Sequence, residues 1–493
     1  MLEVHSKRTL TCLPTDNPYL LDNWLPTDTE WTASTPDLEV IGEIPTDLHG
    51  VYLRNGHNQV HAPIGKYHPF DGDGMIHGMH IGGGKATYRN RWIRTTGYLA
   101  EQVAGESMWP GIIEPRRAVR RGWGSIGAMK DNAGTDVKVH AGRALAAMSQ
   151  CSEPYRLDPV TLETLGPDPS WARSLGERGI CSHFQVDPRT GEMMFFNFGE
   201  HAPYFNYGVV DASNKLVHYE PIELPHATWP HDIGMSEHYC VLHDLSMFFD
   251  PEGLKKGQHR LKFHRDRPAR FGVIPRLGTS RDVKWFEGLP CYILHLANTY
   301  ELGDEVIMEG AIQTNPVPDL SGLPKDGYDR MHALLSMDLQ ETRMHRWRFN
   351  MVTGQTTEED LDDEVTEFSM INRNVKGLPN RYVYNALAKP HWQLDGLKKY
   401  DWKTGNSQRW EAPKGCFVSE TPFAPRDNAV EEDDGYLVTY VTNLNSGKGE
   451  CAIFDAKDIT TGPICRIILP GHIPMGAHAC WAPQSTLHIP EAA

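Results

Sequence analysis

A β-propeller is the fold this 493-residue sequence predicts, and three observations predict it. First, 45 Gly and 35 Pro punctuate runs of β-branched and aromatic residues, the composition of many short strands joined by turns. Second, strand-like runs repeatedly end in Asp, followed by a few turn residues and a new strand. The instances are Asp158-Pro159-Val160-Thr161, Asp187-Pro188-Arg189-Thr190-Gly191, Asp211-Ala212-Ser213-Asn214, Asp250-Pro251-Glu252-Gly253, Asp338-Leu339-Gln340-Glu341, Asp401-Trp402-Lys403-Thr404-Gly405 and Asp455-Ala456-Lys457-Asp458. Asp closes such turns by accepting from the backbone N–H two residues on. Hairpins recurring at irregular intervals suit a propeller, in which each blade is a small antiparallel sheet, although a large sandwich would supply hairpins too. Third, four histidines each stand alone among apolar or small residues, at His183, His231, His295 and His478, spaced by 48, 64 and 183 residues. Groups so distant in sequence meet most easily where every blade presents its innermost strand to one axis.

Taken in order, residues 1–37 are rich in Pro, Thr and Asp around the apolar anchor Asn23-Trp24-Leu25-Pro26, and read as an extended N-terminal arm. Residues 38–484 read as a single propeller domain and 485–493 as a loose tail. Val51-Tyr52-Leu53-Arg54 is one strand, and Ala86–Arg94, alternating around Tyr88 and Trp92, is another. Asp71-Gly72-Asp73-Gly74 between them has the chemistry of a hairpin reversal more than of a calcium loop. Residues 97–133 break the strand rhythm and read as a cap insertion. Tyr98–Ala104 is a short helix there, and the basic run Arg116-Arg117-Ala118-Val119-Arg120-Arg121 is a solvated face. The acidic stretch 354–367 reads as a surface connection.

Composition excludes several functions. A net charge of −16 and a pI near 5.8 argue against a nucleic-acid surface, for which a basic face would be expected. Nine Cys, odd in number and without CxxC spacing, argue against a disulfide framework and for a reduced, cytoplasmic protein. The N-terminus shows no signal peptide, and no window approaches the roughly 20 apolar residues of a membrane span.

Neutral imidazole is a good ligand for divalent iron, zinc, copper or nickel, and four of them satisfy a tetrahedral ion or leave two neighbouring octahedral positions open. Spacing does not select four from the 24 histidines, because no HExxH-type signature is present. For any single one, a core histidine bonded to backbone is the better reading. As a set they say more. Cys181-Ser182-His183-Phe184, Trp229-Pro230-His231-Asp232, Ile293-Leu294-His295-Leu296 and Gly476-Ala477-His478-Ala479 resemble, in order, the four iron-ligand motifs of the carotenoid cleavage oxygenase family. That family includes lignostilbene dioxygenases, isoeugenol monooxygenase and a retinoid isomerase. The resemblance continues through Phe70-Asp71-Gly72-Asp73-Gly74-Met75, Glu367-Phe368 with Ile371-Asn372, and Ser419-Glu420-Thr421-Pro422-Phe423-Ala424-Pro425-Arg426, so it runs from about Ile44 to Trp481.

The resemblance implies an all-β, seven-bladed propeller with loops and short helices capping one end. It implies Fe(II) on His183, His231, His295 and His478, with Glu367 and Glu420 each holding a ligand ring. A third supporting glutamate of the family is replaced here by Gln150, with Glu153 as the alternative. The implied reaction is cleavage of a conjugated carbon–carbon double bond by O2 to two carbonyl products, without added reductant or organic cofactor, on an apolar alkene that is stilbenoid, phenylpropanoid or apocarotenoid. Stilbene and isoeugenol cleavers carry a Lys beside the supporting Glu that binds the phenol with a Tyr; here that position is Ser149, which weakens a 4-hydroxystilbene reading, and Tyr98 is the matching pocket tyrosine. Relatives with lipophilic substrates add a lid or a peripheral membrane patch as a sharper reading of the basic run. Two alternatives stay open: a metal-dependent, non-oxidative isomerase, and a metal-free propeller scaffold. Oligomeric state is left open.

Overall fold

The computed structural model describes residues 2–114, 117–124, 127–256, 261–476 and 478–487. Their contacts divide into two units, Met1–Ser182 with Asp395–Lys399 and Ser407–Ala493, and His183–Leu394 with Tyr400–Asn406.

In the first unit, one six-stranded sheet runs in the order Leu2–Lys7, Thr29–Ser34, Lys85–Trp92, Gly74–Gly82, Gly50–His57, Ala479–Pro483. Its last strand comes from the far end of the chain and pairs antiparallel with Gly50–His57, Ala479 opposite Arg54 and Trp481 opposite Tyr52. A second sheet has the order Thr164–Pro167, Tyr155–Leu157, Arg143–Ala147, Asp136–His140. A third is built on Gly435–Asn443, Lys448–Asp455 and Cys465–Ile468, flanked by Cys416–Val418 and Val40–Gly42. Lys85–Trp92 alternates as a half-buried strand should, with Ala86, Tyr88, Asn90 and Trp92 turned inward. Gly435–Asn443 is buried on both faces. Tyr52, Met79, Tyr88, Tyr440, Ile453, Ile467 and Trp481 form one core of this unit; Leu53, Ile76, Val137, Ala144 and Tyr155 belong to another.

In the second unit, each sheet is a meander of four antiparallel strands in chain order. The first is Gln185–Val186, Met193–Phe198, Tyr204–Val210, Leu216–Glu223; the next is Gly234–Met235, Tyr239–Asp244, Ala269–Pro275, Lys284–Gly288. The third is Tyr292–Leu302, Glu305–Gln313, Thr342–Asn350, Thr356–Asp360. A ribbon of Met247–Phe249 and Leu261–Phe263 is attached, and Phe271, Phe286, Trp347 and Phe349 fill the core between the last two sheets. Thr366–Met370, Tyr382–Lys389, Gln393–Asp401 and Asn406–Glu411 form a further sheet of the same kind. Among the described residues this makes seven sheets of four or more strands, the blades of a seven-bladed β-propeller.

Five of the seven Asp turns form as expected, whereas Asp250 leads into the short helix Pro251–Leu254 and Asp338 follows the helix Asp329–Leu334, not a strand. Asp158, Asp187, Asp211, Asp401 and Asp455 each accept, through Oδ1, the backbone N–H two residues on, at 2.8–3.0 Å. The expected helix is present as Thr96–Ala104, N-capped by Thr95 and ended by Gly105 in the left-handed region.

Three segments differ from the sequence reading. The 71–74 stretch is not a hairpin tip: it ends a long loop and leads into a strand, Gly74–Gly82, that Gly and His had disguised. Asp73 there is buried and bonded to Lys130 Nζ at 2.8 Å, which also reaches Glu101 at 2.7 Å. The acidic stretch 354–367 contains an edge strand, Thr356–Asp360, whose carboxylates face Arg343, His345 and Arg346 on the neighbouring strand. The N-terminal arm supplies two strands of the first sheet. Arg116 of the basic run and residues 488–493 of the tail lie outside the described residues; the tail's first residues belong to a short 3-10 helix, Gln484–Thr486.

Candidate metal centre

Each of the four histidines sits at or beside the terminal strand of its sheet. His183 comes two residues before Gln185–Val186 and His231 three before Gly234–Met235, while His295 lies within Tyr292–Leu302 and His478 just ahead of Ala479–Pro483. In a propeller the first strand of a blade lines the central channel.

His295 owes its aim to a β-bulge. The ladder between Tyr292–Leu302 and Glu305–Gln313 shifts register on both sides of Leu296, and such an irregularity re-aims the side chains around it. The ring Nδ1 is then held by Glu367 Oε2 at 2.6 Å, with Glu367 fully buried. Glu367 occupies a second irregularity, where Phe368 takes φ 58°, a left-handed conformation costly for an aromatic residue. That turn points the Phe368 N–H at the same carboxylate oxygen, and the Phe368 ring lies 5.1 Å from the His295 ring.

His183, His231 and His295 come from three consecutive sheets, and their ring centroids lie 4.4, 5.2 and 5.2 Å apart. Asp232, 4% exposed, accepts from Gln185 Nε2 at 2.8 Å and from the Leu296 N–H at 3.0 Å.

His478 repeats the pairing of His295. Its Nδ1 is 3.1 Å from Glu420 Oε1, and Glu420 Oε2 accepts the Ala479 N–H. The Glu420 carbonyl accepts from Tyr52 Oη at 3.0 Å, and the His478 carbonyl from the Asn55 N–H at 2.8 Å. Gly476 is required here, since a Cβ would fall 2.2 Å from Nε of the buried Arg54.

The potential ligand atoms of His183, His231, His295 and His478 all lie within 4.8 Å of one another, a group that could hold a metal ion. Four nitrogen donors at that spacing fit a first-row transition metal bound at about 2 Å per ligand. Carboxylates on the Nδ1 side of His295 and His478 fix the tautomer that leaves Nε2 as the ligand atom. No carboxylate belongs to the donor group itself, so the charge of a bound dication would stay undiminished.

Gln150 lies in a turn with Cys151 at φ 70°, next to an antiparallel bridge between Ser152 and Ile180. Its Oε1 is buried without a hydrogen-bond partner. The Ser149 carbonyl accepts from the Cys181 thiol at 3.2 Å, two residues before His183. Glu153, its side chain half-buried, lines a separate 350 Å³ cavity with Trp109, Trp123 and Asp131. Tyr98 is in the core against Trp92, and its hydroxyl accepts from Arg94 at 3.1 Å. Sequence reasoning missed Asp232 and the left-handed Phe368; a lone carboxylate directly after His231 was the available signal for the first.

A family model described as retinal pigment epithelial membrane protein matches residues 24–483. A carotenoid 9,10(9′,10′)-cleavage dioxygenase of Crocus sativus is 31% identical over 502 residues, covering 95% of this chain and 90% of the relative. The lignostilbene dioxygenase of Pseudomonas brassicacearum superposes with a TM-score of 0.82 at 26% identity, over 96% of this chain and 100% of that one. A cobalt-substituted apocarotenoid oxygenase of Synechocystis gives 0.78 at 25% identity, over 94% and 98%. The family match takes in all four histidines and both glutamates that hold them, and the chain belongs, as an enzyme, to the carotenoid cleavage oxygenase family, that of the retinal pigment epithelial membrane protein.

Proposed function

We propose that the chain is a non-haem Fe(II) dioxygenase that cuts a conjugated carbon–carbon double bond of an apolar polyene, one oxygen atom of O2 ending on each of two carbonyl products. The single observation that carries this reading is the four-histidine group with no carboxylate among its donors. Bound iron would supply open coordination for O2 and the polarisation that lets an electron-rich alkene react with it. The chain's own residues do the rest. His183, His231, His295 and His478 offer neutral nitrogen ligands, and Glu367 and Glu420 accept the Nδ1 protons that keep Nε2 unprotonated. Gln150, the third position of this supporting set by the resemblance, brings no charge, and its Oε1 accepts from no ligand ring.

The substrate is a carotenoid or apocarotenoid more than a phenol. Ser149 brings no cation to ionise a phenol, and the Tyr98 hydroxyl is engaged by Arg94. The relative from Crocus, a carotenoid-cleaving dioxygenase by name, points the same way.

The test is anaerobic iron loading followed by O2 and, separately, an apocarotenal and a 4-hydroxystilbene. The expected result is loss of polyene absorbance with label from ¹⁸O2 in both carbonyl products. Isomerised substrate without label would replace the reading by the isomerase, and turnover undiminished by chelation or by His295→Ala would end it.

A further inference from the structure

Asp232 stands where three ligand-bearing segments are tied together. It directly follows His231. Its Oδ1 accepts from Nε2 of Gln185, two residues beyond His183, at 2.8 Å, and from the Ile233 N–H at 2.7 Å. Its Oδ2 accepts at 3.0 Å from the N–H of Leu296, the neighbour of His295. That N–H lies at the bulge, where the ladder shifts register on either side of Leu296. The carboxylate is 4% exposed, and Gln185 is 6% exposed.

We infer that Asp232 is a positioning residue of the metal centre, a clamp that binds the His183, His231 and His295 segments to one another so that three imidazoles stand converged before any metal arrives. The inference rests on the metal-site reading above. Its physical basis is that the three segments open three different sheets and share no backbone ladder near the rings. Bonds to an ionised acceptor are roughly twice as strong as neutral ones, and burial makes their loss costly because the donors have no water to turn to. Removing an outer partner of a metal site typically weakens metal binding by about 10- to 100-fold.

The test uses the full-length apoprotein and cobalt(II) as the probe, titrated without oxygen against a competing chelator and read by the cobalt d–d bands. Thermal unfolding of the metal-free protein runs alongside. Asp232→Asn keeps the shape but turns an NH2 towards one of the donors. It should weaken cobalt binding by about 10- to 100-fold and displace the d–d bands, while the apoprotein still unfolds cooperatively. Gln185→Ala, which removes one arm of the clamp, should weaken binding several-fold. Asp232→Asn with wild-type affinity and an unchanged spectrum overturns the clamp. If that variant fails to fold, Gln185→Ala decides: wild-type affinity and bands overturn it equally. A wild-type protein that binds no more cobalt than its His295→Ala variant fails instead at the metal site itself, and the clamp falls with it.

Discussion

At the scale of single residues, the most consequential bond is that between His295 and Glu367. Glu367 accepts from the ring at 2.6 Å and from the Phe368 N–H, and its Oε1 is buried with no further partner. Glu367→Ala therefore frees the ring to rotate, and metal affinity should fall by about 10- to 100-fold, measurable by chelator competition. A second residue sets a pH dependence. Burial pushes the Asp71 carboxyl up to about 7 against the bonds it accepts from Ile112 and His68. Its folded value exceeds the ordinary 3.8, so the stability it contributes is complete below that value and is lost as pH rises through about 7. Amide exchange at His68 and Ile112, corrected for intrinsic rate, should thus be slower near about pH 5 than near about pH 8, and replacing Asp71 with Ala should remove the difference.

At the scale of elements, the hairpin between Asp136–His140 and Arg143–Ala147 turns on Ala141 and Gly142, at φ 47° and 73°. Two successive positive φ values are those of a type I′ turn, where Asn-Gly is preferred and alanine is strained. Ala141 is exposed, so Ala141→Asn should stabilise by about 1 kcal/mol, seen as a higher urea midpoint. The opposite outcome is expected at Glu309, fully buried and accepting from Arg346 at 2.8 Å, Trp402 at 3.0 Å and Tyr300 at 3.1 Å. Glu309→Ala leaves Arg346 with Glu359 alone and the Trp402 and Tyr300 donors without their acceptor, and should cost about 3 kcal/mol in the same measurement. These elements also explain what could be read beforehand. Asp turns were legible because an Asp that bonds two residues on needs nothing distant. Gly74–Gly82 was not, since its three glycines and two histidines lack the two-residue alternation that marks a strand. Thr356–Asp360 passed for a loop because a run of threonines and acids shows no apolar alternation, and its acids acquire strand character only opposite Arg343, His345 and Arg346 of the preceding strand. The histidines and their glutamates were found as ordered motifs, while Asp232 stayed hidden because its partners, Gln185 and Leu296, come from other sheets.

At the scale of the molecule, seven sheets repeat one meander, and no helix among the described residues is long and apolar enough to cross a membrane. The sheet of Gly435–Asn443 departs from the meander by taking Val40–Gly42, and the first sheet by taking Ala479–Pro483 from far along the chain. Deleting residues 476–493 removes that strand together with His478. The truncated protein should lose metal binding and sharp cooperative unfolding, whereas deletion of 488–493 alone should preserve both, as calorimetry with and without cobalt will report.

That borrowed strand also sets an order of events during synthesis. Gly50–His57 leaves the ribosome more than four hundred residues ahead of its partner, with a bare row of backbone donors and acceptors along one side. Until residues 479–483 are made, the nascent chain must carry that adhesive border unfinished, and stalled elongation just before them should send this protein into aggregates more readily than a stall after them.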